Sequence, residues 1–185
     1  RYHRLHGEEV LFLTGTDEHG LNIQRRAEAA GIDPQAWVDE MAPRWKEVWA
    51  GLDIAYDDYM RTTEPRHEKA VQRLLTAVHE NGRDDIYLGT YEGLYCVSCE
   101  AYYTEDELVD GMCPIHGRPV ERMVEENYFF RLSAYADRLL EHYETHPKAV
   151  QPETRRNEVL SLIRGGLQDF SISRTNFRWG IPLPW

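Results

Sequence analysis

The chain lacks several features that would each define a class of protein. No stretch approaches the roughly 18 consecutive apolar residues of a membrane-spanning helix, and no secretory leader is recognisable, so we expect neither a membrane span nor export. The formal net charge of −11 excludes a protein that coats nucleic acid through bulk positive charge, although it leaves room for a local basic contact. No internal repeat or low-complexity segment interrupts a composition that is 42% hydrophobic. These absences leave a globular protein with a sizeable core.

Cysteine is scarce, and its placement is informative. The chain has three cysteines, arranged as Cys96-x2-Cys99 and, after 13 residues, Cys113-x2-His116. Three thiols and one imidazole in two short turns form the ligand set of a tetrahedral zinc ion, and four protein ligands leave no position open for catalysis. The spacing therefore predicts one structural Zn²⁺ per chain, whose binding contributes to the folding of this segment.

Two alternatives to a metal site are three buried thiols and a disulfide pair with one odd thiol. Neither explains why all three lie in this segment, or why a histidine completes the pattern at the matching spacing. Free cysteines in a metal-binding pattern indicate a reducing, cytoplasmic location.

The apolar run at residues 10–14 predicts a strand that is buried on both faces of a parallel sheet. It is followed by Gly15-Thr-Asp17-Glu-His-Gly20. Open α/β sheets place ligand-binding groups just beyond the carboxyl ends of their parallel strands. From the sequence alone, Asp17 either binds a cationic group such as a substrate ammonium or caps the following helix.

The rest of the chain alternates helices with extended segments, which predicts an α/β fold interrupted by a zinc-bearing lobe. A helix over 21–30 ends at Gly31, and a second helix begins at Asp33-Pro34, where Pro43 should kink or split it. We expect its tryptophans and the apolar residues of the helix after Pro65 to face the core. Further helices are predicted at 133–146 and from Pro152 to Gly165. Extended segments are predicted at 53–60, 86–95, 119–124, 127–130 and 169–174, with a one-turn helix at 104–108.

Seven motifs, taken in order, resemble those of the methionyl-tRNA synthetases, and together they cover almost the whole chain. One is Phe-Leu-Thr-Gly-Thr-Asp-Glu-His-Gly at 12–20, and another is Tyr-Glu-Gly-Leu-Tyr-Cys-Val-Ser-Cys at 91–99. The others lie at 113–117, 128–132, 156–160, 171–174 and 179–182. The resemblance is closest to the bacterial form with a single zinc knuckle.

The resemblance implies part of a class I Rossmann-type catalytic domain interrupted by a zinc-binding connective-peptide insertion. On this basis residues 1–84 belong to the catalytic domain, and residues 85–180 form the insertion with its knuckle at 96–116. Residues 181–185 return to the catalytic domain. The implied enzyme uses ATP and Mg²⁺ to activate L-methionine as methionyl-adenylate. It then transfers the methionyl group to the 3′ end of tRNA(Met).

The resemblance also assigns roles to individual residues. Asp17 matches the carboxylate that holds the methionine ammonium, and Arg174 matches an arginine needed for activation. Gly180 and Ile181 are expected to approach the adenosine. Zinc is assigned to the four ligands identified above from their spacing. A charge-assisted ammonium–carboxylate pair and a guanidinium near a developing negative charge suit these roles.

Both class I signature motifs, which supply most of the stabilisation of the ATP phosphates, are absent from these 185 residues. We therefore expect a portion of a longer polypeptide that activates methionine at no useful rate by itself. One alternative is a related class I enzyme for isoleucine, leucine, valine or cysteine, but the large editing insertion or substrate-side zinc of those enzymes is not evident. The other is a stand-alone zinc-knuckle module for protein or RNA binding, which would not need the strand predicted at residues 10–14.

Overall fold

The computed structural model describes residues 1–99, 101–175 and 177–185, with Tyr91 described by its backbone only. Its helices are α1 (Tyr2–Leu5), α2 (Leu21–Ala30), α3 (Pro34–Gly51), α4 (Pro65–His79), α5 (Ala136–Thr145) and α6 (Glu153–Arg164). Its strands are β1 (Leu13–Thr16), β2 (Asp58–Arg61), β3 (Ile86–Cys96), β4 (Ala101–Tyr103), β5 (Glu121–Phe130) and β6 (Phe170–Ser171). No helix among the described residues combines the length and the hydropathy needed to cross a bilayer.

The chain divides into two compact units. The first unit consists of Arg1–Leu75, Gly93–Arg122 and Phe177–Trp185, and the second consists of Thr76–Glu92 and Met123–Asn176. Parallel pairing in one sheet and antiparallel pairing in the other, together with the helices, confirm the predicted α/β class.

The first unit is built around a parallel pair of strands. β1 pairs with β2 from Leu13 opposite Asp58 to Thr16 opposite Arg61. The helices α2 and α3 pack against each other and carry half of the buried apolar residues described in this unit. Its buried side chains on these helices are Leu21, Ala27, Val38 and Ala42. The register of β1 and β2 places the residues that follow both strands at one edge of the sheet.

Gly15 is required by the close approach of β1 to β2. A Cβ atom at this position would lie 1.8 Å from the carbonyl oxygen of Met60, its partner in the register. We expect Gly15→Ala to lower the free energy of unfolding by about 1–3 kcal/mol, because the backbone of β2 must move to admit the methyl group. Chemical denaturation with Gly51→Ala as the control measures this, since a Cβ at Gly51 meets nothing within 4 Å. Equal stability of the two variants would contradict the expectation.

The prediction that the apolar run at 10–14 is buried on both faces is wrong for the described chain. The strand begins three residues later, and Leu11, Phe12 and Leu13 are 81%, 43% and 54% exposed. Pairing with β2 covers only one edge of β1. Burial of both faces requires layers packed on each side of the sheet, and the described residues do not cover these side chains.

The helix boundaries largely follow the sequence signals. α2 ends at Gly31, which adopts a left-handed conformation, and the Asp33 carboxylate accepts a hydrogen bond from the Gln35 amide at the start of α3. Pro43 lies inside α3 and does not split it. The predicted inward faces are only partly buried, because Trp45 is 50% exposed and Leu74 in α4 is 65% exposed.

The second unit contains most of the four-stranded sheet, whose strand order is β4-β3-β5-β6. β5 is one continuous strand where the sequence predicted two, and it pairs antiparallel with the short β6. α5 packs against α6, which is the helix predicted from Pro152 to Gly165, and Leu160 and Ile163 of α6 are buried. A short 3-10 turn precedes α5, so Ser133 does not cap that helix. Its amide donates instead to the Asp169 carboxylate.

Candidate functional site

The predicted metal ligands lie together in the first unit. Cys96 ends β3 and Cys99 follows in a turn, while Cys113 and His116 lie in a second turn. One ligand atom from each of the four residues lies within 4.8 Å of all the others. The Cys99 Sγ atom is 3.4 Å from Cys113 Sγ and 2.9 Å from His116 Nδ1, and Cys113 Sγ is 3.9 Å from the same nitrogen. This is a compact cluster of four ligand atoms that can hold a metal ion.

Local backbone structure shapes the second turn. The Gly117 amide donates to the Cys113 carbonyl at 2.8 Å, and the Cys113 amide donates to the Arg118 carbonyl at 2.9 Å. Gly117 has a φ of +56°, a conformation that costs a residue with a Cβ atom more than glycine. These bonds close the turn so that His116 points its Nδ1 atom back at the sulfur of Cys113.

The cluster fits a tetrahedral ion in its donor set and spacing. Zinc–sulfur bonds of about 2.3 Å at tetrahedral angles place two thiolates about 3.8 Å apart, and the Cys99 and Cys113 sulfurs are 3.4 Å apart, so they need to separate only slightly around an ion. Burial alone would raise the pKa of the Cys113 thiol, but hydrogen bonds from the backbone and ring of His116 and the Ile115 amide lower it to about 6. The chain therefore stabilises the thiolate form at Cys113. The Tyr103 hydroxyl donates to Cys99 Sγ at 3.2 Å. This hydrogen bond lowers the pKa of Cys99, but burial and the other two cysteine thiols raise it to about 11, so a metal ion would have to displace the Cys99 proton.

Asp17 lies at the carboxyl end of β1, directly after Thr16. It does not cap α2, because the N-cap is Gly20 and no side chain caps this helix. The carboxylate is exposed, and no group in the described part of the chain forms a hydrogen bond or an ion pair with it. An uncompensated carboxylate at the end of a parallel strand is suited to bind a cationic ligand.

Glu18, the neighbour of Asp17, is a further buried residue of this loop, and no sequence motif above assigned it a role. Glu18 is 3% exposed, and its carboxylate accepts hydrogen bonds from the hydroxyls of Thr16 and Thr63, both at 2.6 Å. Arg61 Nε donates to both Glu18 oxygens at 2.8 and 3.0 Å, and this hydrogen bond raises the pKa of the arginine. A signal was present, because Arg61 ends β2 and Thr63 follows it at the same sheet edge as Asp17.

A segment from the end of the chain is docked on this loop. Trp179 Nε1 donates to the Glu18 carbonyl at 2.6 Å, and the Gly20 amide donates to the Trp179 carbonyl at 3.2 Å. The Gln24 side chain accepts from the amides of Arg178 and Trp179. Trp179 is therefore anchored to the loop that carries Asp17. Gly180 and Ile181 directly follow Trp179 in the sequence.

His19 completes the contact with this segment. Its ring lies 5.3 Å from the ring of Trp179, measured between centroids. Burial lowers the pKa of His19, although nearby Glu68 and Asp17 oppose the shift. The lowered pKa favours the neutral form of His19, which places no positive charge next to Asp17.

The comparisons with known proteins agree with these motifs. The family model described as tRNA synthetases class I (M) matches residues 1–124 and 107–185, which together cover the whole chain. The chain belongs to the methionyl-tRNA synthetase family of class I. This match places the chain in the methionyl family and not among stand-alone zinc-knuckle modules or the other class I families considered.

Individual relatives are longer than this synthetase chain. It is 53% identical to the methionine–tRNA ligase of Streptomyces coelicolor and 54% identical to that of Thermosynechococcus vestitus, and both alignments cover 100% of the chain. It spans 36% and 35% of these relatives, about a third of their length. Among solved structures, a Mycobacterium tuberculosis methionyl-tRNA synthetase in complex with methionyl-adenylate matches with a TM-score of 0.89 and 45% identity. That match covers 100% of the chain and 36% of the tuberculosis protein.

The remaining predicted residue of this family, Arg174, lies in the second unit. It follows β6, where its Nη1 atom donates to the Ser171 hydroxyl at 2.8 Å and to the Ser173 carbonyl at 2.7 Å. The Ser173 hydroxyl in turn accepts from the Tyr128 amide in β5. The Ser-Ile-Ser-Arg motif is thus hydrogen-bonded to the sheet, and its own serines hold the Arg174 guanidinium in place.

Proposed function

We propose that these residues belong to a methionyl-tRNA synthetase that activates L-methionine with ATP and then aminoacylates tRNA(Met). In the first step a methionine carboxylate oxygen attacks the α-phosphorus of ATP, and pyrophosphate leaves. In the second, the hydroxyl of the terminal adenosine of the tRNA attacks the carbonyl carbon, and AMP leaves. A cytoplasmic location is part of the proposal.

The observation that carries the proposal is the exposed, uncompensated carboxylate of Asp17 at the end of β1. We assign it to the ammonium of methionine, because a carboxylate–ammonium pair is a strong charge-assisted contact. Gly180 and Ile181, in the docked segment, are assigned to the adenosine. A Cβ atom at Gly180 would meet nothing within 4 Å, so there is open space beside this backbone. The tuberculosis relative is in complex with methionyl-adenylate, which supports binding of methionine and ATP within this family.

Arg174 is proposed as the catalytic residue of activation. Its guanidinium is always charged, and it needs no proton transfer to stabilise negative charge as the carboxylate attacks the phosphate. The bonds to Ser171 and Ser173 fix one end of the group through Nη1. Mg²⁺ bound with ATP would neutralise phosphate charge in the same step.

For the metal cluster we propose one structural Zn²⁺, held by Cys96, Cys99, Cys113 and His116. The ion would cross-link the two turns and contribute folding free energy, with no open position for chemistry. For the domains we propose residues 1–84 as part of the catalytic domain and 85–180 as the connective-peptide insertion with its knuckle at 96–116. Residues 181–185 return to the catalytic domain.

Tyr103 is expected to tune the affinity of this cluster for zinc. Its hydroxyl donates to Cys99 Sγ, and hydrogen bonds around the ligands of a metal are commonly worth about 10- to 100-fold in metal affinity. Tyr103→Phe should therefore raise the zinc dissociation constant by about 10-fold. Competition with a chromogenic chelator measures it, and Tyr102→Phe is the control on the same strand. Equal dissociation constants for the two variants would contradict the role assigned to Tyr103.

Methionine-dependent exchange of pyrophosphate into ATP tests the proposed function. The full-length polypeptide should catalyse exchange with methionine and not with isoleucine, leucine, valine or cysteine. The 185 residues alone should show no useful rate, because the sequence lacks both class I signature motifs. The absence of methionine-dependent exchange by the full-length polypeptide would overturn the proposal.

A further inference from the structure

Glu18 is held more firmly than a surface loop requires. Both of its carboxylate oxygens accept hydrogen bonds, from Arg61 Nε and from the hydroxyls of Thr16 and Thr63. The side chain is 3% exposed. With its oxygens engaged and its surface covered, Glu18 is not available to contact a ligand directly. Its role has to be exerted through the neighbours that it fixes.

The backbone of Glu18 is also held on both sides. Its amide donates to the Thr62 hydroxyl at 2.9 Å, and its carbonyl accepts from Trp179 Nε1 at 2.6 Å. The Glu18 amide belongs to the same planar peptide group as the Asp17 carbonyl. Fixing this plane therefore restricts the direction in which the Asp17 side chain leaves the backbone. The hydrogen bond from Trp179 to the Glu18 carbonyl joins the docked segment, residues 177–182, to Glu18.

Stability alone is a poor reason for a buried ion pair at this position. The desolvation of two buried charges often offsets their attraction, and an apolar pair of the same volume is frequently as stable. A buried pair does fix the relative positions of the elements that carry it. Here Glu18 follows β1 and Arg61 ends β2, and the Arg61 Nη2 atom also donates to Asp39 in α3 at 2.6 Å. One guanidinium thus connects three elements around the Asp17 loop.

We infer that Glu18 is a positioning residue of the amino-acid site, which orients Asp17 toward the methionine ammonium and joins that loop to the segment carrying Gly180 and Ile181. This inference rests on the proposed function. The role of Glu18 differs from that of Asp17, because the buried Glu18 side chain bonds only protein groups and touches no substrate. The inference also gives a role to Thr62 and Thr63, which come directly after β2.

The test is Glu18→Gln in the full-length polypeptide, assayed by pyrophosphate exchange. The amide is nearly isosteric, but it replaces one acceptor oxygen with a donor that faces Arg61 Nε and one of the two threonine hydroxyls. We expect KM for methionine to rise by roughly 10- to 100-fold, as small displacements of binding groups do, while KM for ATP stays within about twofold. Glu121→Gln is the matched control, because Glu121 accepts from both Nη atoms of Arg25 in an exposed pair.

If Glu18 had a purely structural role, its replacement would change the melting temperature and not KM for methionine. If Glu18→Gln lowers the melting temperature and leaves KM for methionine unchanged, the inference is overturned. Should Glu18→Gln fail to fold, Thr63→Val removes one hydrogen bond to the same carboxylate, and a rise in the methionine KM alone would support the inference. An unchanged KM in that variant would overturn it.

Asp17→Asn measured in parallel separates the inference from the proposed function. If Asp17→Asn raises KM for methionine and Glu18→Gln does not, only the positioning role fails. If neither variant alters KM for methionine, the assignment of the amino-acid site itself fails, and the inference fails with it.

Discussion

Replacing Cys113 with serine is expected to remove the metal from the protein and to unfold residues 93–122, while the β1–β2 sheet stays folded. The Cys113 side chain is 1% exposed, so a weaker oxygen ligand would be buried without compensation. Zinc contributes about 10–16 kcal/mol to the folding of zinc-finger peptides. This is comparable to the entire stability of a typical domain, about 5–15 kcal/mol.

The rest of the first unit has an independent source of stability. The apolar core between α2 and α3 includes Ala27 and Val38 and needs no metal. An ion pair between Arg25 in α2 and Glu121 in β5 connects this core to residues 93–122. Both of its side chains are nearly half exposed. Exposed pairs contribute at most about 1 kcal/mol. Loss of the metal should therefore be felt mainly within residues 93–122.

Zinc stoichiometry by elemental analysis and amide hydrogen exchange measure the two parts of this expectation. Cys113→Ser should carry almost no zinc and lose protection at 93–122, whereas residues 13–16 and 58–61 keep theirs. Ser98→Ala is the control. Ser98 lies between the ligands Cys96 and Cys99, but its hydroxyl accepts a hydrogen bond from Arg118 and is not one of the four ligands. Full zinc occupancy in Cys113→Ser would show that the assigned ligand set is wrong. Equal loss of protection in β1 and β2 would show that the metal stabilises the whole unit.

The features that the sequence predicted well are those specified by nearby residues. The metal cluster follows from two short spacings, and the ends of α2 and α3 follow from Gly31 and from Asp33-Pro34. A left-handed glycine or an aspartate cap acts over three or four residues, so no tertiary information is needed. The parallel pairing of β1 was predicted for a similar reason, because a short apolar run followed by polar residues is a local pattern.

Burial and side-chain networks were harder to predict, because they depend on partners far along the chain. The apolar character of Leu11 and Leu74 does not reveal whether another surface covers them, and in this chain both are exposed. The pairing of Glu18 with Arg61 depends on the register of two strands, which no local spacing encodes. The contact of Trp179 with the Glu18 carbonyl spans 161 positions. Such contacts become predictable only once the sheet is assembled.

Replacing Asp17 with asparagine should strongly impair methionine activation. Asparagine keeps the shape and one acceptor oxygen but loses the charge that we assign to the methionine ammonium. A hydrogen bond to a charged group contributes about 1.5–3 kcal/mol, which corresponds to a roughly 10- to 100-fold change in kcat/KM for methionine. Pyrophosphate exchange at varied methionine and varied ATP measures it in the full-length polypeptide.

Because Asp17 is exposed and no described residue bonds its carboxylate, the folded protein should lose little stability in this variant. The kinetic effect can then be attributed to the substrate and not to unfolding. Asp33→Asn is the matched control: it removes the same charge from an exposed loop, and asparagine caps α3 as well as aspartate does. Similar kinetics for the two variants would mean that net charge, and not an ammonium contact at the end of β1, governs the effect. A loss confined to Asp17→Asn, with KM for ATP unchanged, would assign this carboxylate to the common end of the amino acid and leave recognition of the methionine side chain to other residues.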